Sequence, residues 1–237
     1  NGAGRFGIDA QVPGMLIAVM ARAPLPGAKP VSFNEASAKA VAGVRQVLAI
    51  PNGVAVLADG YWAAKRGRDA LEVQWDLGAH ATLSSAGVSD MLASAAGNAD
   101  ALSRDDGNVR DAAANSALTV DALYEAPYLA HACMEPMNCT AHVRGDEVEI
   151  WAGTQSQGPA QGILGQVAQV TPAKVKVNTL LLGGVTAHGP FDLLLGLFQG
   201  IERGEEEVHD PALAFVDGAR HRLPHFVEFG RLLFDFQ

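Results

Sequence analysis

The chain has 237 residues, of which 49% are hydrophobic and 18% charged, as is typical of a globular protein with one or two packed cores. This composition excludes collagen, coiled coil and wholesale disorder. The formal net charge is −9 and the 17 Lys and Arg residues are scattered, so we expect neither nucleic acid nor an anionic membrane as a partner.

No apolar run approaches the roughly 18 residues that a membrane-spanning helix needs, so the sequence predicts no membrane span. The first residues contain neither a signal peptide nor a twin-arginine export signal. The sequence therefore leaves the cytoplasm and the periplasm as alternative locations.

Residues 1–77 are predicted to form a small α+β unit. Its apolar and alternating segments predict a strand at 15–20, then a helix capped by Asn34 and ended by Gly43. A hairpin of strands 44–50 and 54–58 follows, and after it a helix at 61–71 and a strand at 72–75. In the second helix we expect Trp62 on the buried side with Leu71, and Lys65 and Arg68 towards solvent.

Residues 78–116 are small and polar, and they are predicted to be a linker with one helix at 89–96. A second α+β unit is predicted over 117–184, with a strand at 118–124, a hairpin at 140–151, a helix at 158–169 and a strand at 175–182. That last strand leads into Gly183 and Gly184, and a glycine pair at a strand end is a common way to bring backbone close to a ligand.

Residues 185–237 form a tail of different composition, with seven of the nine Phe residues, no Lys, and nine acidic against four basic side chains. A non-catalytic interaction module is one hypothesis for the chain, with the tail binding a partner or another copy through exposed phenylalanines. The phenylalanines concerned are Phe226, Phe229, Phe234 and Phe236.

The densest group of reactive side chains is His131, Cys133, Glu135 and Cys139. A cofactor-free hydrolase is therefore a second hypothesis, using a thiolate of either cysteine or a water activated by His131 and Glu135. The alternative interpretation is that the two thiols are half-buried and unreactive, and that the polar side chains are partly buried with their hydrogen bonds satisfied. No second His/Cys cluster accompanies them, so no metal ligand set is predicted.

A second polar cluster, Trp151–Gln157, lies at the end of a strand and just before a helix. Its amides have the chemistry to hold a ligand oxygen. The alternative is an ordinary helix start, with Ser156 as the cap and Gln155 pointing at water.

These segments, in this order, resemble the molybdopterin-binding large subunits of the xanthine dehydrogenase and aldehyde oxidase family, of the isoquinoline 1-oxidoreductase beta-subunit type. The resemblance covers about residues 5–184. Segments similar to the α/β-hammerhead domain are Arg5–Asp9, Pro13–Leu16, Pro51–Val56 and Gly67–Leu71, and those similar to the opening of the molybdenum-cofactor domain are His131–Pro136 and Trp151–Gln155.

The resemblance implies a fold, a cofactor and a partner. The fold class is α+β, with a hammerhead-like N-terminal unit followed by an incomplete molybdenum-cofactor-domain-like unit. In that family the glutamine matching Gln155 hydrogen-bonds an oxo ligand of molybdenum, and Gly183 and Gly184 match the start of a cofactor-lining glycine loop. The resemblance also implies an iron–sulfur partner subunit, because two cysteines cannot hold such a cluster.

The match ends at Val185–His188, which stand where the family has further glycines and a phenylalanine. The family's general-base glutamate lies beyond the length of this chain, so we expect the 237 residues alone to be inactive in oxidising an aldehyde or an N-heterocycle with water as oxygen donor. A truncated or frame-shifted subunit and a natural short protein both fit this break.

Overall fold

The computed structural model describes residues 2–96, 104, 106–126, 128 and 133–184, together with the backbone of residues 212–216. These residues fall into two compact units. One contains residues 2–81, 133–184 and 212–216, and the other contains 82–96, 104, 106–126 and 128.

Helices and strands are both present in quantity, which confirms the predicted α+β class. The strands are β1 (Leu16–Arg22), β2 (Lys29–Ser32), β3 (Val44–Ile50), β4 (Gly53–Ala58), β5 (Gln74–Asp76), β6 (Asn138–Arg144), β7 (Glu147–Gly153), β8 (Val175–Leu180) and β9 (Ala212–Val216). The helices are α1 (Glu35–Lys39), α2 (Tyr61–Asp69), α3 (Ser85–Ala95), α4 (Val109–Ala114) and α5 (Gln157–Val167).

The first unit is organised around a seven-stranded sheet with the order β3-β4-β1-β9-β6-β7-β8, while β2 and β5 form a separate antiparallel pair. Strand β9 pairs with β1 on one side and with β6 on the other. Strands from both sides of the predicted linker therefore lie in one sheet. The division into domains at residues 77, 116 and 184 stays a prediction.

The hairpin β3–β4 is confirmed, with Ile50 opposite Gly53 across the turn. Strand β4 is buried along its whole length because both faces of the sheet are covered there. Its alternate residues belong to different cores: Val54 and Val56 pack in one cluster, and Ala55 and Leu57 in another. This burial on both sides explains why β4 is apolar throughout.

The helix cap predicted at Asn34 is confirmed, because its side-chain oxygen accepts the N–H of Ser37 at 3.1 Å. The predicted burial of Leu71 is confirmed at 1% exposure, but that of Trp62 is wrong, since Trp62 is 69% exposed. The solvent positions predicted for Lys65 and Arg68 are also wrong, because their side chains are only 12% and 14% exposed. The buried face of α2 is made by Ala64 and Gly67 instead. Trp62 lies two positions before Ala64, about 200° round the helix, and therefore faces solvent.

The hairpin predicted at 140–151 is confirmed as β6–β7, turning at residues 145 and 146. Helix α5 then leads to β8, which pairs in parallel with β7, so the three elements form a β–α–β unit. Leu164 of α5 is 1% exposed and packs in the same core as Ile150 of β7 and Val175 of β8. This packing covers β7 and β8, the two strands whose ends carry the candidate site.

The second unit contains α3 and α4, whose caps are Ser84 and Asn108. The predicted strand at 118–124 is wrong, because no strand forms there. Leu118 and Leu123 are 81% and 82% exposed. Alternation supplies one apolar face, but a strand also needs a neighbour for its backbone hydrogen bonds, and none pairs with this segment among the described residues.

Candidate functional site

The candidate site lies where β7 and β8 end side by side. The two strands are parallel, with Gly153 of β7 opposite Leu180 of β8. Gln155 follows β7 by two residues, and Gly183 follows β8 by three. Because parallel strands end at the same edge of a sheet, both of these predicted site positions belong to one edge.

A compact turn joins β7 to α5. The backbone N–H of Ser156 donates to Thr154 Oγ1 at 3.0 Å, and Gln157 Nε2 donates to the Thr154 carbonyl at 3.2 Å. Ser156 occupies the predicted cap position, but its hydroxyl makes no capping bond. Thr154 is buried, whereas Gln155 is exposed and its side chain makes no hydrogen bond within the described part of the chain.

Glu135 connects three separate segments through its carboxylate. Oε2 accepts the backbone N–H of Gly183 at 2.7 Å. Oε1 accepts the backbone N–H of Ile8 at 3.1 Å and Asn138 Nδ2 at 2.9 Å. The backbone N–H of Glu135 in turn donates to the Gly183 carbonyl at 3.2 Å. Glu135 is thus engaged in holding the chain together, which does not support its predicted role of activating water.

The glycine pair packs too closely for side chains. A Cβ at Gly183 would lie 2.4 Å from Glu135 Cβ, and a Cβ at Gly184 would lie 2.4 Å from Cys133 Cβ. Non-bonded carbon atoms do not come this close to one another, so only glycine fits at these two positions. The group that approaches the glycine pair here is the chain's own Cys133–Glu135 segment, and the close approach of a ligand stays a prediction.

Between these segments lies a small cleft with a volume of about 10 Å³. Its lining includes Cys133, Glu135, Asn138, Gly153 and the glycine pair. A space of this size has room for about one water molecule. It does not enclose a cofactor of pterin size, and Gln155 does not line it.

Of the two candidate thiols, Cys139 is wrong as a nucleophile. It is fully buried in β6, and burial raises the pKa of its thiol far above the ordinary value. The prediction that both thiols are half-buried therefore holds only for Cys133, which lies beside Gly184. His131 lies outside the described residues. So do the four phenylalanines proposed to bind a partner.

Two further observations concern the described residues alone. No group of three or more His, Cys, Asp or Glu side chains among them is placed to hold a metal ion. None of their helices combines the length and the apolar character needed to cross a membrane.

Asn138 and Ile8 are site residues that the sequence did not reveal. Asn138 is 6% exposed. Its Nδ2 donates to Glu135 Oε1 at 2.9 Å and to the Pro136 carbonyl oxygen at 2.7 Å. Ile8 contributes through its backbone, which no side-chain pattern reports. Only the spacing Glu135-Pro136-x-Asn138 was a possible signal, and it is too common in proteins to carry a prediction.

Comparison with protein families finds a match to the molybdopterin cofactor-binding domain over residues 93–185. Among individual proteins, the chain is 31% identical over 204 residues to the isoquinoline 1-oxidoreductase subunit beta of Brevundimonas diminuta. It is 35% identical over 197 residues to a membrane-bound aldehyde dehydrogenase of Gluconacetobacter polyoxogenes, whose name also specifies pyrroloquinoline quinone. Each match covers 78% of this chain, and the chain spans 25% of the length of each relative.

The fold is also similar to solved structures. The crystal structure of quinoline 2-oxidoreductase from Pseudomonas putida 86 superimposes with a TM-score of 0.64 at 16% sequence identity. The superposition covers 91% of this chain and 32% of that one. At this identity the likeness supports the fold alone.

Proposed function

Because the chain belongs to the molybdopterin-binding large-subunit family of xanthine dehydrogenase and aldehyde oxidase, we propose that it forms part of a molybdenum hydroxylase. The reaction class is oxidation of an aldehyde or hydroxylation of an N-heterocycle, with water as the oxygen donor. The chain spans a quarter of its relatives' length, so this activity is assigned to the assembly and not to the 237 residues by themselves.

One observation carries the proposal: Gln155 and the glycine pair follow the carboxyl ends of two hydrogen-bonded parallel strands. Ligands of mixed α and β proteins commonly bind at such an edge. Gln155 is exposed there with an uncommitted amide, which suits it to donate a hydrogen bond to an oxygen atom of a bound group.

The described residues fit one edge of a molybdenum-cofactor site. Gln155 would contact the group through its amide, and Gly183 and Gly184 would line it through backbone without a protruding side chain. The cleft of about 10 Å³ is too small to enclose the group, so further chain or a partner must complete the site. When bound, the cofactor supplies a metal centre that accepts two electrons from the substrate.

The same proposal includes an iron–sulfur subunit as the electron acceptor. The chain has two cysteines, and one of them is buried in the core, whereas a cluster needs four ligands. The name of the Brevundimonas relative, a beta subunit, is in keeping with an assembly of several chains.

The finer domain assignment is also part of the proposal. Residues 1–77 correspond to a hammerhead-like domain, 78–116 to a linker and 117–184 to the first segment of a cofactor domain. Residues 185–237 form the atypical tail. The match to the molybdopterin cofactor-binding domain over residues 93–185 supports a cofactor-domain segment that ends near residue 184, and it begins within residues 78–116.

The test is metal and cofactor analysis of the full chain, produced in a host that makes molybdopterin and purified with any subunit that accompanies it. We expect molybdenum near one per chain, and release of a fluorescent pterin on oxidation. Gln155→Ala removes the proposed donor, and Gln166→Ala, the control, removes another exposed glutamine, from α5. Loss of metal on dilution should be about tenfold faster in Gln155→Ala than in wild type.

Three outcomes would contradict this assignment. Protein without molybdenum or pterin would remove the cofactor from it. A bound quinone in place of a pterin would move the chain to the class named for its Gluconacetobacter relative. Equal rates of metal loss in Gln155→Ala and Gln166→Ala would mean that the chain binds the cofactor but that Gln155 is not part of the cofactor site.

A further inference from the structure

We propose that Glu135 is a positioning residue that holds the Gly183–Gly184 segment in the place where a bound cofactor meets it. This inference rests on the proposed function for the identity of the ligand. The hydrogen bonds that carry it do not depend on that function. Three features of the structure support it, and each concerns how the end of β8 is held.

First, Glu135 and Gly183 are joined by a pair of hydrogen bonds. The Gly183 N–H donates to Glu135 Oε2 at 2.7 Å, and the Glu135 N–H donates to the Gly183 carbonyl at 3.2 Å. Strand β8 ends three residues earlier, at Leu180, so these bonds continue to restrain the chain after the sheet pairing ends. A bond from an N–H to an ionised carboxylate is stronger than one between neutral groups.

Second, the same carboxylate is anchored at its other oxygen. Oε1 accepts from the backbone of Ile8, which belongs to the turn Gly7–Asp9, and from Asn138 at the start of β6. The N-terminal segment also contacts the residue that follows β8, because the Leu181 N–H donates to the Arg5 carbonyl at 3.0 Å. The end of β8 is therefore tied to the N-terminal segment twice, once through backbone and once through Glu135.

Third, the hydrogen-bond donors around the side chain of Glu135 require a group that only accepts, as a carboxylate does. Among the described residues, the three groups that bond to the two oxygens are all N–H donors. A carboxylate only accepts, so it satisfies them all. Glutamine has the same size, but it would turn an NH₂ group towards at least one donor, leaving that donor unpaired and placing two donors together.

Gln155 and the glycine pair are thus held at one edge by different means. The turn at Thr154 holds Gln155, with the parallel pairing of β7 to β8 behind it. Gly183 is held by Glu135. Removing the carboxylate should free the glycine pair and leave Gln155 where it is, so the two halves of the proposed cofactor edge would lose their alignment.

The test uses Glu135→Gln in the full chain, with Glu147→Gln as the matched control because Glu147 is exposed on β7. The first readout is hydrogen exchange at the Gly183 amide, whose sequence neighbours are identical in all variants. We expect exchange about tenfold or more faster in Glu135→Gln, with the amides of β7 unchanged, and no change in Glu147→Gln. Unchanged exchange at Gly183, or a uniform increase across the sheet, would overturn the proposal.

The second readout separates positioning from loss of stability. Leu164→Ala destabilises the core of the same unit without touching the Glu135 bonds. At a temperature where both variants are folded, we expect Glu135→Gln to lose molybdenum and Leu164→Ala to keep it. Equal retention in the two variants would contradict the positioning role. Wild-type protein without molybdenum would refute the proposed function, and the exchange measurement would then decide the role of Glu135 by itself.

Should Glu135→Gln fail to fold, Glu135→Asp gives the same measurement. It keeps the negative charge but shortens the side chain by one carbon, so the carboxylate cannot reach Ile8 and Gly183 together. Faster exchange at Gly183 is the expected result. Wild-type exchange in Glu135→Asp would show that the long side chain is not what holds the glycine pair.

Discussion

Replacing Gly153 with alanine tests the close contact between the ends of β7 and β8. Gly153 is the last residue of β7 and lies opposite Leu180. A Cβ there would lie 2.7 Å from Leu182 Cδ1, 3.0 Å from the Leu181 carbonyl oxygen and 3.2 Å from Leu182 Cα. The leucine side chain can turn away, but the two backbone atoms move only if the strand end moves.

The expected cost follows from these distances. Adding a methyl group to a packed site costs about 1–3 kcal/mol, and backbone neighbours place this site towards the middle of the range. For a unit of this size, a loss of about 2 kcal/mol lowers Tm by roughly 6 °C. We therefore expect Gly153→Ala to unfold at a clearly lower temperature than wild type.

Gly162→Ala is the matched control, because it adds the same methyl group in the middle of α5. Apart from its chain neighbours and the backbone of its own helix, no described atom lies within 4 Å of a Cβ at this position. Alanine in a helix interior is favoured over glycine by about 0.5–1 kcal/mol, so this variant should unfold about 2 °C above wild type.

Thermal unfolding followed by circular dichroism gives both values. Opposite shifts in the two variants would support the reasoning. A Gly153→Ala protein as stable as wild type would refute it, since the strand ends would then have room for a side chain. The double variant Gly153→Ala, Leu182→Ala should recover only part of the loss, because the backbone contacts remain.

Two other predictions concern single side chains. In the folded protein Cys133 should react with iodoacetamide, while the buried Cys139 stays unmodified. In guanidinium chloride both cysteines should react. Equal reaction rates of the two cysteines without denaturant, measured by mass spectrometry, would contradict the burial of Cys139. The hydrogen bond from Lys176, with that from Asn178, lowers the pKa of Glu149. Glu149 therefore adds stability above its unfolded pKa of about 4.3, and this stability is lost as the pH falls through the lower pKa of the folded state. In urea titrations Glu149→Gln should cost about 1 kcal/mol at pH 7 and less at pH 3, and an equal cost at both pH values would refute the ionic contribution.

Local patterns predicted most of the first unit. The turn between β3 and β4, the cap at Asn34 and the hairpin β6–β7 all depend on residues a few positions apart, and the structure contains them. The segment 118–124 shows where this reasoning ends. It has the alternation of a strand, but a strand forms only when another strand pairs with it, and the pattern of one segment does not report its neighbours.

The candidate site divides in the same way. Gln155 and the glycine pair could be found because each belongs to a motif that follows a strand, and parallel pairing then brings strand ends together. Cys139 and Glu135 were assigned reactive roles because they are close in sequence to His131. The burial of Cys139 contradicts its role and the hydrogen bonds of Glu135 do not support the other, and neither burial nor bonding can be deduced from composition.

The sequence alone thus determined the α+β class, the main hairpins and the two motifs at the edge of the sheet, since these depend on short-range periodicity and turn chemistry. Only the tertiary structure decided how that edge is held. The partners of Glu135 lie 127 residues before it, at Ile8, and 48 residues after it, at Gly183. Contacts over such separations form because the folded sheet brings distant backbone N–H groups to one carboxylate, and no local pattern in the chain encodes which groups will meet.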